Sequence, residues 1–202
     1  MAKYSCWDIV DAILKINPER TLLHGPPGTG KTRAGLELGL KPNQPRYNVI
    51  CTPETPAAEL RGFYVPQGDH FLWQDGPAVA AWRKGGRLVI NEIDQASSDC
   101  VSLLLSILDD REVAEMILPT GEVIHPHPDF VVVATMNGNP DEMLPALRDR
   151  FPVTIHIDKV HPGAIAALPQ DLQLAATTTP FLKDDRRISV RAWAEFARLR
   201  DA

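Results

Sequence analysis

A glycine-rich stretch near the N-terminus, Gly25–Thr32, decides the fold of this chain: it reads GPPGTGKT. Strand-forming residues at Thr21–His24 precede it, and a predicted helix over 31–39 follows. A strand, a glycine-rich loop ending in Gly-Lys-Thr, and a helix, in that order, form the arrangement that binds the phosphates of a nucleoside triphosphate. The sequence therefore predicts an α/β domain that carries a nucleotide on this loop.

Each part of this phosphate loop, residues 25–32, has a physical task. The glycines allow backbone N–H groups to curl around the β-phosphate, and the start of the following helix adds its positive dipole end. Lys31 supplies a charge to the β- and γ-phosphates, and the Thr32 hydroxyl is placed for Mg²⁺. The residues expected to contact the nucleotide are Gly25, Pro26, Pro27, Gly28, Thr29, Gly30, Lys31 and Thr32.

Outward from the loop, strand and helix patterns alternate along the chain. Apolar runs predict strands at 47–52, 88–90, 130–137 and 151–157, and helical spacing is present over 4–16, 76–85 and 98–110. Because the strands are apolar without alternation, we expect a parallel sheet of five strands covered on both faces, the three-layer sandwich of a P-loop NTPase. From His161 onward the pattern is helical and arginine-rich, which predicts a core over 1–160 and a short C-terminal helical lid over 161–202.

Two segments within the core are predicted to be β-hairpin inserts. Residues 62–73 hold aromatic runs on both sides of Gly68-Asp69, and residues 114–126 hold two extended runs about the sequence PTGE. Turn residues between strand-forming runs are typical of hairpins. Tyr64, Phe71 and Trp73 in the first insert are candidates for contact with a partner, because a hairpin outside the sheet exposes such side chains.

The composition excludes several classes of protein. The chain has 202 residues, of which 44% are apolar and 23% charged, as in an ordinary globular domain. No apolar run approaches the ~18 residues that span a bilayer, and the N-terminus lacks a signal-peptide pattern. Three scattered cysteines form no metal or disulfide pattern, so we expect a cytoplasmic protein. A net charge of −5 argues against nucleic acid as the main partner.

A second motif, RLVINEIDQAS at 87–97, places polar residues at the end of an apolar strand. Glu92 is predicted to face the phosphate loop, where a carboxylate can orient and polarise the attacking water. If the strand continued, Glu92 and Asp94 would face one side and Asn91 the other. On that assumption Asp94 does not replace the charge that Asn91 lacks.

Five motifs in order resemble those of the AAA+ superfamily, and more narrowly its MoxR and dynein-related branch. They are GPPGTGKT, then LVINEIDQAS like the Walker B strand, FVVVATMNGNP like sensor 1, LPALRDRF like the arginine-finger segment, and RRISVRAWAEF like the sensor 2 helix. The resemblance covers nearly the whole chain. It departs from the family at Asn91, where the branch usually has aspartate, and in the short lid.

The resemblance implies roles for particular residues, with ATP and Mg²⁺ as cofactors. Glu92 would activate water, Asn137 would be the sensor that holds the γ-phosphate or the water, and Thr32 and Asn91 would support Mg²⁺. Arg150 matches the arginine finger that reaches a neighbouring subunit's nucleotide, with Arg148 as the alternative. Arg191 matches the sensor 2 arginine, acting in cis or in trans.

The function expected from the resemblance is ATP hydrolysis by a subunit of a homo-oligomeric ring, with six subunits as the expected number. Such a ring remodels or activates a protein partner, and in this branch the partner commonly bears a von Willebrand factor A domain. The neutral Asn91 predicts slower turnover, since losses around a metal's bound waters cost roughly 10–100-fold in activity. Two alternatives stay open: a nucleotide-binding switch or structural subunit with little hydrolysis, and a ring motor acting on nucleic acid.

Overall fold

The computed structural model describes residues 4–182 and 186–200. The outer ends of the predicted core and lid, 1–3 and 201–202, lie outside the described residues, as do 183–185 within the predicted lid. The elements, in chain order, are α1 Cys6–Ile16, β1 Arg20–His24, α2 Lys31–Glu37, β2 Arg46–Ile50, α3 Ala57–Arg61, β3 Gly62–Gln67, β4 His70–Asp75, α4 Pro77–Lys84, β5 Gly86–Asn91, α5 Ser98–Ile107, β6 Met116–Ile117, β7 Val123–Ile124, β8 Phe130–Met136, α6 Pro145–Arg148, β9 Val153–His156, α7 Pro162–Ala166, α8 Gln170–Thr178 and α9 Val190–Arg200.

The central sheet has five strands in the order β2-β5-β8-β1-β9, and every neighbouring pair is parallel. The predicted fold class is therefore confirmed: a parallel five-stranded sheet lies between helices, and further helices follow at the C-terminal end. Parallel strands place all their carboxyl ends at one edge. The phosphate loop after β1 and the polar residues that end β5 and follow β8 consequently meet at this edge, which we call the nucleotide edge.

The core is divided between the two faces of this sheet. Every residue of β5 and β8 is buried, because these strands are covered on both faces. One face packs against α3, α4 and α5 through a large cluster that includes Trp82 and Leu104. The other face carries α1 and α2, where Trp7, Val10 and Leu14 pack with Leu23 and Ile155 among others.

Two antiparallel hairpins stand outside the central sheet. β3 and β4 pair about a turn at Gly68-Asp69, and β6 and β7 form a much shorter pair. Large apolar side chains on both hairpins are exposed: Phe63, Tyr64, Phe71, Leu72, Ile117 and Val123. Two contacts join the hairpins: Tyr64 donates to the Pro119 carbonyl, and Arg83 of α4 forms ion pairs with Asp75 and Glu122.

The three C-terminal helices form a small cluster of their own that rests on the phosphate loop. Val160, Leu168, Ala176 and Val190 are its buried centre. At the start of α7, the His161 N–H donates to the carbonyl of Thr29 at 3.1 Å, so the helical unit is attached directly to the loop. No helix in the described ranges is both long enough and apolar enough to cross a membrane.

Candidate nucleotide site

The phosphate loop has the backbone conformation that its glycines permit. Gly25, Gly28 and Gly30 all have positive φ, which other residues rarely adopt. At two of these positions, neighbouring atoms also leave no room for a side chain. A Cβ at Gly25 would lie 2.4 Å from the Ile157 carbonyl oxygen, and one at Gly28 would lie 2.7 Å from the Ser189 Cβ. Larger residues at these two positions would therefore displace β9 or the helical unit.

Lys31 is a buried cation held by the loop itself. Its Nζ donates to the carbonyls of Gly25 and Pro26, at 2.7 Å each, and to Asn137 Oδ1 at 3.1 Å. Burial lowers the pKa of Lys31 to about 8, although the carboxylates of Glu92 and Asp94 act in the opposite direction. A desolvated ammonium at the start of α2 is a strong partner for phosphate oxygens.

Asn137 joins Lys31 to Glu92. The Asn137 amide accepts from Lys31 through Oδ1, and its Nδ2 donates to Glu92 Oε2 at 2.5 Å. This contact is possible because β5 and β8 are neighbours in the sheet. The three side chains form one connected group at the nucleotide edge.

Glu92 itself has a backbone conformation that is unfavourable for glutamate. Its φ of 54° and ψ of 44° are left-handed, a region that costs a residue with a Cβ about 1–2 kcal/mol. β5 ends at Asn91, and a 3₁₀ turn, Ile93–Gln95, begins directly after Glu92. Such strain concentrates at functional sites, because the surrounding structure must hold it in place.

The side chain of Asn91 lies on the face of the sheet that carries α2. Val89, two residues earlier on β5, would contact a Cβ at Gly35 of α2, and residues two apart share a face. Asn91 is only 3% exposed: its Nδ2 donates to Asn48 Oδ1 and the Val49 carbonyl, and its Oδ1 accepts from Thr135 Oγ1. Its predicted support of Mg²⁺ would use the one remaining lone pair of Oδ1.

The prediction that Asp94 does not replace the charge that Asn91 lacks rested on a wrong assumption about the strand. The strand does not continue past Asn91, so strand alternation does not apply to Asp94. Its Oδ2 accepts from Gln95 at 2.8 Å, while Oδ1 is buried without a hydrogen-bond partner in the part of the chain described. The Asp94 charge also raises the pKa of Lys31. The only sequence signal for this placement was a second acid two residues after Glu92.

The residues present fit a nucleotide with Mg²⁺. Thr32 is exposed in the first turn of α2, and its hydroxyl is a hard oxygen ligand of the kind that Mg²⁺ takes. A cavity of about 960 Å³ opens beside the phosphate loop. It is lined by His24, Gly25, Pro26, Pro27, Asn137, Gly138, Asn139, His156, Pro180, Phe181, Leu182 and Arg187. This is large enough for a small-molecule ligand.

Two of the arginines in the predicted lid occupy different places. Arg187 lines the cavity beside the phosphate loop, and its charge lowers the pKa of Lys31. Arg191, the sequence match to sensor 2, is exposed in the first turn of α9 and is absent from the cavity lining. The role assigned to Arg191 stays a prediction. The sequence did not single out Arg187, because the arginines of RRISVR at 186–191 are alike in sequence and differ only in where the fold places them.

Arg150 lies far from its own phosphate loop. It precedes β9 and forms an ion pair with Asp109 at 3.2 Å, and the Asp109 carbonyl also accepts from Arg20, the first residue of β1. Arg150 is thus at the amino edge of the sheet, opposite the nucleotide edge. Arg148 pairs with Asp141 at 2.8 Å.

Comparison with known protein families agrees with the geometry. Residues 20–151 match the model of the AAA domain, dynein-related subfamily. The chain belongs to this family. The matched range includes the phosphate loop, the strand that ends at Asn91, Asn137 and Arg150, so four of the five motifs lie within it, and the sensor 2-like segment at 186–196 lies beyond it.

This AAA domain is also similar to individual proteins. It is 35% identical to Protein NorQ of Paracoccus denitrificans over 146 residues, which cover 70% of this chain and 53% of NorQ. It is 35% identical to the denitrification regulatory protein NirQ of Pseudomonas aeruginosa over 135 residues, covering 64% of this chain and 51% of NirQ. The chain thus spans about half the length of these curated relatives.

A solved structure shares the fold of the AAA domain. The crystal structure of a candidate ATPase from Cytophaga hutchinsonii superposes with a TM-score of 0.58 at 18% identity, covering 94% of this chain and 56% of that one. At this identity the likeness concerns the fold alone. It supports the three-layer arrangement and adds no information on which residues react.

Proposed function

We propose that this AAA domain hydrolyses ATP as one subunit of a ring and uses the cycle to remodel or activate a protein partner. One observation carries the proposal: Asn137 connects the phosphate-loop lysine to Glu92 at the nucleotide edge. A cation for the phosphates, a carboxylate for the water and a polar sensor between them are the parts that phosphoryl transfer to water requires.

The chemistry follows from the position of each group. Lys31 and the amides of the phosphate loop neutralise charge on the β- and γ-phosphates. Thr32 would hold Mg²⁺ and Asn91 would support its bound waters, and the metal would supply further positive charge to the phosphate oxygens. Glu92 accepts a proton from the attacking water, and Asn137 fixes the direction of the Glu92 carboxylate through its 2.5 Å hydrogen bond.

The position of Arg150 supports assembly of several copies. β1 has five residues, so the two edges of the sheet lie about 16 Å apart, beyond the reach of one arginine side chain. We therefore assign Arg150 to the nucleotide of a neighbouring subunit, where it would neutralise transition-state charge. A closed ring, with six subunits as the family expectation, gives every site one such arginine.

A protein is the partner class that the surface favours. The two hairpins expose aromatic and aliphatic side chains, which are typical of protein contact surfaces. The similar protein NirQ is named a denitrification regulatory protein, which fits a role in acting on another protein. We propose a partner with a von Willebrand factor A domain as the first to test.

A switch without turnover is the second candidate, and the Asn91 environment favours it. The neutral amide supplies no negative charge beside the predicted Mg²⁺ position, and the Asn91 side chain is already bonded to three neighbours. In that function the same site would bind ATP and ADP with different lid positions, and phosphate release would be near the uncatalysed rate.

Phosphate release from the wild type and from Glu92→Gln separates these candidates. We expect Glu92→Gln to bind ATP normally and to lose turnover by at least about 100-fold, since general-base removal costs about 10²–10⁴-fold. Equal rates in both proteins would show that Glu92 is not the base. A wild-type rate no higher than buffer, with ATP still bound, would favour the switch.

A further inference from the structure

A buried arginine outside the phosphate site holds the far end of the helix that carries Lys31 and Thr32. Arg87, on β5, is 0% exposed and is among the largest fully buried side chains of the described residues. Its Nη1 donates to the carbonyls of Gly35, at 3.1 Å, and of Leu38, at 2.6 Å. Both carbonyls lie at the C-terminal end of α2.

Arg87 has no acidic partner among residues 4–182 and 186–200, and this makes its burial unusual. Its third hydrogen bond goes to a neutral acceptor, Asn17 Oδ1, at 3.1 Å, and no ion pair involves it. Burial lowers the pKa of Arg87 to about 10, with no nearby carboxylate to oppose the shift. A charged group that is buried without a counter-ion is costly, so its retention calls for a physical reason.

The reason lies in the end of α2. The last carbonyls of a helix have no partner within the helix and carry the negative end of its dipole. Arg87 satisfies two of them, and Arg46 on the neighbouring strand β2 donates to a third, the Leu36 carbonyl, at 3.0 Å. Arg46 and Arg87 are register partners, so two adjacent strands present cations to the same helix end.

The opposite end of β5 leads to Glu92, the proposed catalytic base. Arg87 is its second residue and Asn91 its last, with Glu92 directly after, whereas α2 begins with Lys31 and Thr32. Gly35 keeps α2 close to the sheet, since a Cβ there would lie 3.2 Å from Val89 and Val133. The bonds of Arg87 to α2 therefore fix how the helix is placed along the strand.

We propose that Arg87 is a positioning residue that sets the distance between the phosphate-binding end of α2 and the water-activating Glu92. This inference rests on the proposed ATP hydrolysis. It predicts that loss of the guanidinium contacts affects turnover more than nucleotide binding. Lys31 and the loop move together with α2, whereas Glu92 belongs to β5. A misplacement of about 1 Å between reacting groups can cost about 100-fold in rate.

Arg87→Lys tests the proposal, because it keeps the charge on a side chain one atom shorter, which draws the donor away from the carbonyls of Gly35 and Leu38. We expect kcat to fall by about tenfold or more and the Kd for a non-hydrolysable ATP analogue to change by less than about threefold. Arg46→Lys, the same substitution at the exposed register partner, and Asn17→Gly, which keeps the left-handed backbone at that position, serve as controls. Both controls should retain most of the turnover.

Hydrogen exchange gives a readout that does not depend on hydrolysis. In the wild type, the amides of residues 36–38 should exchange far more slowly than a frayed helix end, and Arg87→Lys should speed their exchange while β1 stays protected. The proposal is overturned if the wild type already exchanges rapidly there, if Arg87→Lys leaves this exchange unchanged, or if it lowers turnover and affinity by the same factor. If wild-type turnover is absent, the ATPase proposal fails, and the exchange results still decide the role of Arg87.

Discussion

The two edges of the central sheet contain complementary halves of one proposed reaction. At the nucleotide edge, Lys31, Asn137 and Glu92 are already connected by hydrogen bonds within one chain. At the amino edge, Arg150 is paired with Asp109 and lies at the opposite edge of the sheet from its own nucleotide site. In the proposed reaction, the nucleotide edge binds and orients ATP within one subunit, whereas Arg150 acts on the nucleotide of another copy. Mutation of Arg150, or dilution of the protein, should therefore lower ATP turnover while ATP binding is retained.

The largest effect is expected from removing the cation of the nucleotide edge. Lys31→Ala deletes the buried ammonium that the loop carbonyls hold in place, and ATP binding should be lost at every practical concentration. Isothermal titration with ATP and Mg²⁺ measures this directly. Lys15→Ala, at an exposed lysine paired with Asp11, is the control and should bind as the wild type does. Retained binding in Lys31→Ala would mean that the nucleotide lies elsewhere.

Removing the arginine of the amino edge should spare binding and reduce turnover. Arg150→Ala is expected to lose about 10³-fold or more in kcat, as for other arginine fingers, with ATP still bound. Mixing Arg150→Ala with Glu92→Gln should restore part of the activity, because mixed rings contain some interfaces with both residues intact. Arg148→Ala, which breaks the pair with Asp141, is the matched control.

The mixing experiment also distinguishes the two arginines. If Arg148→Ala is the inactive variant and Arg150→Ala is not, the finger is Arg148. Light scattering with and without Mg-ATP should show larger assemblies with the nucleotide. A monomer at tens of micromolar protein, together with full activity, would contradict an arginine supplied by a neighbour.

A smaller change is expected from restoring the acid at the end of β5. Asn91→Asp would place a carboxylate near the predicted Mg²⁺ waters and should lower the Mg²⁺ concentration for half-maximal phosphate release by about tenfold. The structure adds a cost, because the amide now donates to Asn48 and to the Val49 carbonyl. Facing these acceptors with a carboxylate should lower the free energy of unfolding by about 1–3 kcal/mol. An unchanged Mg²⁺ midpoint would show that Asn91 does not act on the metal.

The smallest effect concerns the charge around Lys31. Because burial lowers its pKa to about 8, the neutral fraction grows above that pH, and nucleotide affinity should decline between pH 7 and pH 9. Asp94→Asn removes a charge that raises this pKa, so the decline should move to lower pH. The stability linked to Lys31 has the opposite sign and should increase as pH rises through about 8, since the unfolded chain then binds more protons. Identical pH profiles in both proteins would remove Asp94 from the site.

Much of the fold could be predicted from local patterns, because the phosphate loop and the apolar strands are each recognisable from a short segment of sequence. The predicted ends of the elements were less accurate. The helix predicted over 31–39 ends at Glu37, and Arg87 donates to the Leu38 carbonyl in place of the N–H groups of a further helical turn. The strand order also required the structure. Sequence spacing cannot show that Arg87, a polar residue at the start of an apolar run, contacts the end of a helix some fifty residues earlier.

The candidate site shows the same limit. Lys31, Glu92 and Asn137 could be named from motifs, and the structure brings these three together. Asp94 and Arg187 could not, because their positions depend on a left-handed backbone at Glu92 and on where the C-terminal helices rest. The role proposed for Arg150 depends on a second copy of the chain, and the role predicted for Arg191 is in cis or in trans; no pattern within one sequence fixes that geometry.

The link between the hairpins has a mechanical consequence. Arg83 forms ion pairs with Asp75 at the base of one hairpin and with Glu122 in the turn of the other. Tyr64 adds a second connection through its hydrogen bond to the Pro119 carbonyl. Because Arg83 lies on α4 and pairs with both hairpins, a force on one hairpin would be passed to the other hairpin and to α4. Since α4 packs directly on β5, which ends at Asn91 just before Glu92, a force applied to either hairpin would act on the strand end at the nucleotide edge.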